Sequence, residues 1–142
     1  MKEFLFQEIS IGQNVSFEYE LNEKKMQQFL EITGDSNPLH NDLDYARSLG
    51  HNDKVVYGML TSAILSTLAG MYLPGKYSLI HEVEIKFLKP VYIKDSPLIV
   101  EAEVTEKDDR FNQITLKYQI KNQSFIKVCK GRMKIGVLPK TD

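Results

Sequence analysis

The sequence predicts an α+β domain in which an antiparallel sheet wraps one long central helix. Two observations carry this. One strand pattern opens the chain, helical patterns follow to about Leu73, and only strand patterns come after it. The stretch from Met59 to Leu73 is apolar on nearly every side, so a helix there needs cover in most directions. A sheet assembled from the strands on either side of it supplies that cover.

The elements follow in order. Val15, Phe17 and Tyr19 alternate with polar residues, the pattern of a half-buried strand. Asn22 can cap a helix whose apolar positions Met26, Phe29 and Leu30 keep helical spacing, with Gly34 just past its end. Asp35-Ser36-Asn37-Pro38 is turn-rich. Asp42 can cap a short second helix through Leu49, closed by Gly50, and the long helix runs from about Gly58 to Leu73, stopping at Pro74-Gly75. Tyr77, Leu79, His81, Val83, Ile85 and Phe87 alternate in a long run ending near Pro90. Leu98 to Val104 form the next strand, Ile114 to Ile120 another, and Ser124 to Gly136 the last. Asp108–Asn112 and Asn122-Gln123 are the expected hairpin turns. No repeat, low-complexity tract or linker interrupts this order, so residues 1–142 read as a single domain with a hot-dog-like arrangement.

Composition excludes several classes of function. At 142 residues, folding can bury roughly 70% of the chain's surface without disulfides or metals. Hydrophobic residues make up 42% and charged residues 26%, and the net charge of -1 gives no reason to expect nucleic acid or an acidic membrane surface as partner. The loose basic group Lys127, Lys130, Arg132 and Lys134 alternates as a solvated strand face does. Cys129 is the single cysteine, so no internal disulfide is possible, and a reducing, cytoplasmic location is expected. Met1 to Ser10 holds Glu3, Gln7 and Glu8 and no long apolar run, so it does not read as a signal peptide. The apolar helix is broken by Thr61, Ser62, Ser66, Thr67 and Gly70 and falls short of the ~20 residues a membrane span needs. Three histidines and one cysteine show no paired ligand spacing, so neither a metal nor another cofactor is expected.

The chemistry concentrates in Thr33-Gly34-Asp35-Ser36-Asn37-Pro38-Leu39-His40. On a helix, groups five positions apart would point ~140° away from each other. Pro38 disfavours helical geometry at Asn37, so the expected form is a non-helical loop on which Asp35 and His40 converge. A carboxylate beside an imidazole can hold and polarise a water, one group taking a proton and the other returning it. Taken alone, the same string also reads as an ordinary turn, with His40 a satisfied histidine.

The pattern extends well past that turn. Gly34-Asp35-x-Asn37-Pro38-Leu39-His40, then Ala46, then Gly58-Met59-Leu60, then Lys86-Phe87-Leu88-Lys89-Pro90-Val91 resembles the MaoC-like family of R-specific enoyl-CoA hydratases and related dehydratases. The likeness runs from about Ile9–Gly12 to Gly131. It implies a hot-dog fold, dimers or dimers of dimers, and reversible hydration of a trans-2-enoyl thioester, carried by coenzyme A or an acyl-carrier protein, to the (R)-3-hydroxyacyl thioester. It implies that Asp35 and His40 activate the water. The backbone N–H of Gly58 then takes the place of the donor to the enolate oxygen, as the first amides of a helix lack internal partners and carry its positive end. Met59 and Ser66 fall among the substrate-binding positions, Ser66 where related hydratases often carry a small hydroxyl lining the acyl pocket. Asn37 belongs with them as a brace of the loop. Tyr57 departs from the histidine common before the glycine, and is expected at the entrance or pocket wall, where it would bear on substrate preference. Lys94-Asp95 stands where Gly-Asp is usual, and His51 and His81 lie outside the motif.

Two other readings compete. A hot-dog thioesterase uses a carboxylate on or near the central helix, and Gly58 to Leu73 contains no Asp or Glu. A non-catalytic partner subunit would not be expected to keep both Asp35 and His40.

Overall fold

Local signals start and stop most elements of the computed structural model, which describes residues 1–141. Strand β1 (Asn14–Tyr19) turns Phe17 into the core. Helix α1 (Glu23–Thr33) begins at Asn22, whose side-chain oxygen accepts from the Lys25 N–H at 2.9 Å, and ends at Gly34 in the left-handed conformation, φ 71°. Satisfying an otherwise orphaned amide in this way contributes about 1 kcal/mol. Helix α3 (Leu43–Ser48) starts at Asp42, which accepts from the Tyr45 N–H at 3.1 Å.

Between them lies a turn of helix that the sequence pattern does not announce, α2 (Pro38–Asn41). Asn37 is extended, as the following proline requires, and the helix begins immediately after it with Pro38 in the first turn. The expected wholly non-helical loop is therefore corrected: Asp35 lies on the loop and His40 on this short helix.

Helix α4 (Gly58–Thr67) continues into a π-helical turn at Leu68–Tyr72, which carries the expected helix almost to Leu73. Leu60, Ile64, Leu65 and Leu68 are buried in the core with Leu98, Val100, Val104, Leu116 and Met133 of the sheet. Each such burial stabilises the fold by about 1.5–3 kcal/mol. The cover is on most sides, as expected, and one face is left open. Met59, Ala63 and Ser66, spaced to share one face, are exposed, Met59 by 62%.

The four later strands are β2 (Ser78–Phe87), β3 (Leu98–Asp108), β4 (Gln113–Lys121) and β5 (Lys127–Val137). With β1 they form one antiparallel sheet in the order β1-β3-β4-β5-β2, the hot-dog arrangement of sheet and helix. The last strand starts three residues later than expected. Asn122 turns the chain first, its side chain accepting from the Ser124 and Ile126 amides at 2.9 and 3.1 Å.

The alternation expected along β2 is broken by a register shift between Ile80 and Glu82. His81 is the extra residue. Ile80 pairs with Ile135 and Val83 with Met133, so Ile80, Val83, Ile85 and Phe87 share the core-side face while Leu79 sits on the other. Strand β2 is an edge of the sheet, and Val83 (43%) and Phe87 (50%) remain substantially exposed.

Gly131 lets this edge strand close onto its neighbour. The Tyr118 hydroxyl donates to the Glu84 carbonyl at 2.6 Å, and a Cβ on Gly131 would collide with that carbonyl and stand 2.6 Å from the Tyr118 oxygen. Gly131→Ala should therefore destabilise the protein by about 3 kcal/mol, read as a fall in the urea midpoint at unchanged slope. A midpoint equal to wild type would show that β2 is not seated on β5 as described.

Candidate active site

The loop after α1 is built from short-range bonds that its own residue types supply. Thr33 Oγ1 donates to the Phe29 carbonyl at 2.8 Å and accepts from the Asp35 N–H at 3.1 Å. Asp35 Oδ1 accepts from the Asn37 N–H at 3.0 Å, and Asn37 Oδ1 accepts from the Leu39 N–H at 3.0 Å. Each polar side chain thus stabilises the turn two residues on. Asp35 is exposed and keeps its second carboxylate oxygen clear of these bonds. Asn37 acts as a helix cap and brace.

His40 is half-buried on α2, and its Nδ1 lies 2.7 Å from the Val55 carbonyl oxygen. A carbonyl only accepts, so Nδ1 carries the proton and, in the neutral ring, Nε2 keeps a lone pair. The Val55 segment is itself held from two sides. Its N–H donates to the Leu39 carbonyl at 3.1 Å, and the next amide, Val56 N–H, donates to the Val91 carbonyl at 2.8 Å. The segment that fixes the histidine is thereby tied both to the motif helix and to the chain leaving β2.

Tyr57 is 2% exposed, so of the two places expected for it, entrance or pocket wall, it does not stand open at an entrance. Its ring stacks on His40 with centroids 4.2 Å apart and planes inclined by 30°. Its hydroxyl donates to the Asp35 carbonyl at 2.7 Å and accepts from Asn41 Nδ2 at 3.2 Å. Asp35 and His40 are thus brought against the same side chain.

Gly58 opens α4, so its amide and that of Met59 have no partner within the helix, and among the described residues neither donates to another backbone carbonyl. The Phe87 ring lies against it: a Cβ on Gly58 would be 3.2 Å from Phe87 Cε1. Met59 and Ser66 lie on the exposed face of α4 rather than in an enclosed pocket of this chain. His51 bonds to Tyr92 through Nδ1 at 2.9 Å, and His81 to Gln113 at 2.8 Å, both away from the motif. Among the described residues no group of three or more His, Cys, Asp or Glu side chains is placed to hold a metal ion, and no helix is long and apolar enough to cross a membrane.

Sequence reasoning missed three participants. Val55 acts through its backbone carbonyl, which leaves no mark on the side-chain pattern. Phe87 reaches the helix start from the far end of the sheet. Asn41 could have been found, since it stands four residues after Asn37 on the same helical turn, and its amide donates to the Asn37 carbonyl at 3.1 Å.

Comparison with known proteins places this geometry in context. The family model described as MaoC like domain matches residues 6–124. An (R)-specific enoyl-CoA hydratase of Rhodospirillum rubrum is 32% identical over 100 residues, 70% of this chain and 67% of the relative. An (R)-specific enoyl-CoA hydratase of Aeromonas caviae is 31% identical over 99 residues, 70% of this chain and 73% of the relative. Among solved structures, an unliganded R-hydratase from Pseudomonas aeruginosa superposes with a TM-score of 0.88 at 27% identity, covering 97% of this chain and 88% of that one.

Proposed function

Because this chain belongs to the MaoC-like domain family, we propose that it is a hydro-lyase that reversibly adds water to a trans-2-enoyl thioester, giving the (R)-3-hydroxyacyl thioester. The observation that carries the mechanism is the 2.7 Å bond from His40 to Val55, which puts the proton on Nδ1 and leaves the Nε2 lone pair free to take a proton. In the hydration direction, a water held between Nε2 and the Asp35 carboxylate loses a proton to the pair, and its oxygen bonds to the β-carbon. The alkene electrons move onto the thioester carbonyl as an enolate. The Gly58 N–H, at the positive end of α4, stabilises that oxygen. The pair then returns a proton to the α-carbon, so water is consumed and the thioester stays intact. The (R) configuration follows the activity named for the relatives.

The carrier is coenzyme A or an acyl-carrier protein, and the setting is the cytoplasm. The assembly is a homodimer, or a dimer of dimers. The exposed row Met59, Ala63 and Ser66 on α4, together with the open, apolar edge of β2, is a surface a second copy would cover. Covered in that way, Met59 and Ser66 would line the acyl pocket at the interface. Light scattering at micromolar concentration should give at least twice the chain mass. A stable monomer there would overturn the assembly and the location of the pocket together.

Hydration and hydrolysis separate cleanly on crotonyl-CoA. The enoyl-thioester absorbance should fall while a thiol reagent detects little free coenzyme A. Cys129 does not confuse this readout, being buried with its thiol pushed up to about 11 by desolvation. Thiol release equal to substrate loss would mean a thioesterase; neither signal, across chain lengths and carriers, would mean a non-catalytic subunit.

Asp35→Asn and His40→Ala should each lower kcat by about 100-fold or more. Asp35 is exposed and Asn keeps an oxygen for the Asn37 amide, so the thermal midpoint of Asp35→Asn should stay near wild type. His40 is half-buried and bonded to Val55, so turnover of His40→Ala is compared at equal folded protein. Near-wild-type turnover in either variant would remove that residue from the chemistry.

A further inference from the structure

We infer that Tyr57 is a positioning residue that sets the separation of Asp35 and His40, an inference that rests on the hydratase reading. Four contacts converge on it. Its ring stacks on the His40 imidazole at 4.2 Å and meets Phe29 at 4.9 Å, inclined by 49°. Its hydroxyl proton goes to the Asp35 carbonyl oxygen at 2.7 Å. The Tyr57 hydroxyl oxygen in turn accepts from Asn41 Nδ2 at 3.2 Å, and that amide also donates to the Asn37 carbonyl at 3.1 Å.

These bonds make a clamp. The phenol and the Asn41 amide together hold two carbonyls of the loop, on either side of Ser36, while the ring face holds the histidine. Tyr57 is too deeply buried to touch water or substrate, so it acts only through the groups it holds. It also directly precedes Gly58, so a shift of Tyr57 moves the N-terminal amide of α4 as well. One side chain therefore ties the carboxylate loop, the imidazole and the helix start into one rigid set.

The clamp is tested on the full-length protein with Tyr57→Phe, Asn41→Ala and the double variant. Tyr57→Phe keeps the ring and removes the tether, so kcat on crotonyl-CoA should fall about 10- to 100-fold with KM within about twofold. Asn41→Ala should lower kcat in the same way, and the double variant should be no worse than the poorer single, because both belong to one network. Unchanged kcat in Tyr57→Phe, a loss matched by the loss of folded protein, or effects that multiply in the double variant would overturn the inference.

A readout free of activity keeps it distinct from the hydratase reading. In 15N spectra of the histidines, wild-type His40 should show a single neutral tautomer protonated on Nδ1. Tyr57→Leu, which removes the stacking ring, should show that signal broadened or split between tautomers. An unchanged His40 spectrum in Tyr57→Leu contradicts the clamp. Wild type with the locked tautomer and no hydration of any enoyl thioester would keep the clamp and discard the hydratase.

Discussion

The 2.7 Å bond from His40 to the Val55 carbonyl is the constraint on which the site depends. It selects the tautomer, aims the second nitrogen, and sets where α2 lies relative to the start of α4. It also explains why a segment without regular structure, Val55 to Tyr57, carries so much of the organisation. That segment is bonded to Leu39 on one side and Val91 on the other, so the motif helix and the chain leaving β2 share a support. A site supported in this way resists the small displacements that cost catalytic groups their alignment.

Packing sets the remaining geometry. Helix α4 presents Leu60, Ile64, Leu65 and Leu68 to the sheet and leaves Met59, Ala63 and Ser66 uncovered, so its rotation about its own axis is fixed by burial. That rotation places Gly58 against Phe87 at the end of β2. The bulge at His81 serves the same end. Without the extra residue, Phe87 would lie on the opposite face of β2, away from the helix start. The apolar edge that results stays exposed, and it is the surface proposed above for a second copy.

Much of this was legible in the sequence because it depends on local chemistry. Asn22, Gly34, Asp42 and Gly50 mark boundaries through caps and turns, and the order of periodic segments gave the sheet-and-helix class. The Asp35 to His40 string named the residues of the candidate pair. What stayed hidden depends on partners distant in sequence. The role of the Tyr57 hydroxyl is one such case, because nothing local says that it meets a carbonyl twenty-two residues earlier. The bulge at His81 was invisible because Tyr77 to Phe87 alternate without interruption, and only the pairing with β5 reveals the slip. The short helix at Pro38 was hidden by the proline itself, which reads as a breaker but here occupies the first helical turn.

The central claim is that Asp35 and His40 act on one shared water. A high-resolution crystal structure of the protein at neutral pH tests it directly. It should show a single ordered water about 2.6–3.2 Å from both a carboxylate oxygen of Asp35 and Nε2 of His40. If Nε2 is instead bonded to a protein acceptor, or no water lies within reach of both groups, the account of the site is wrong.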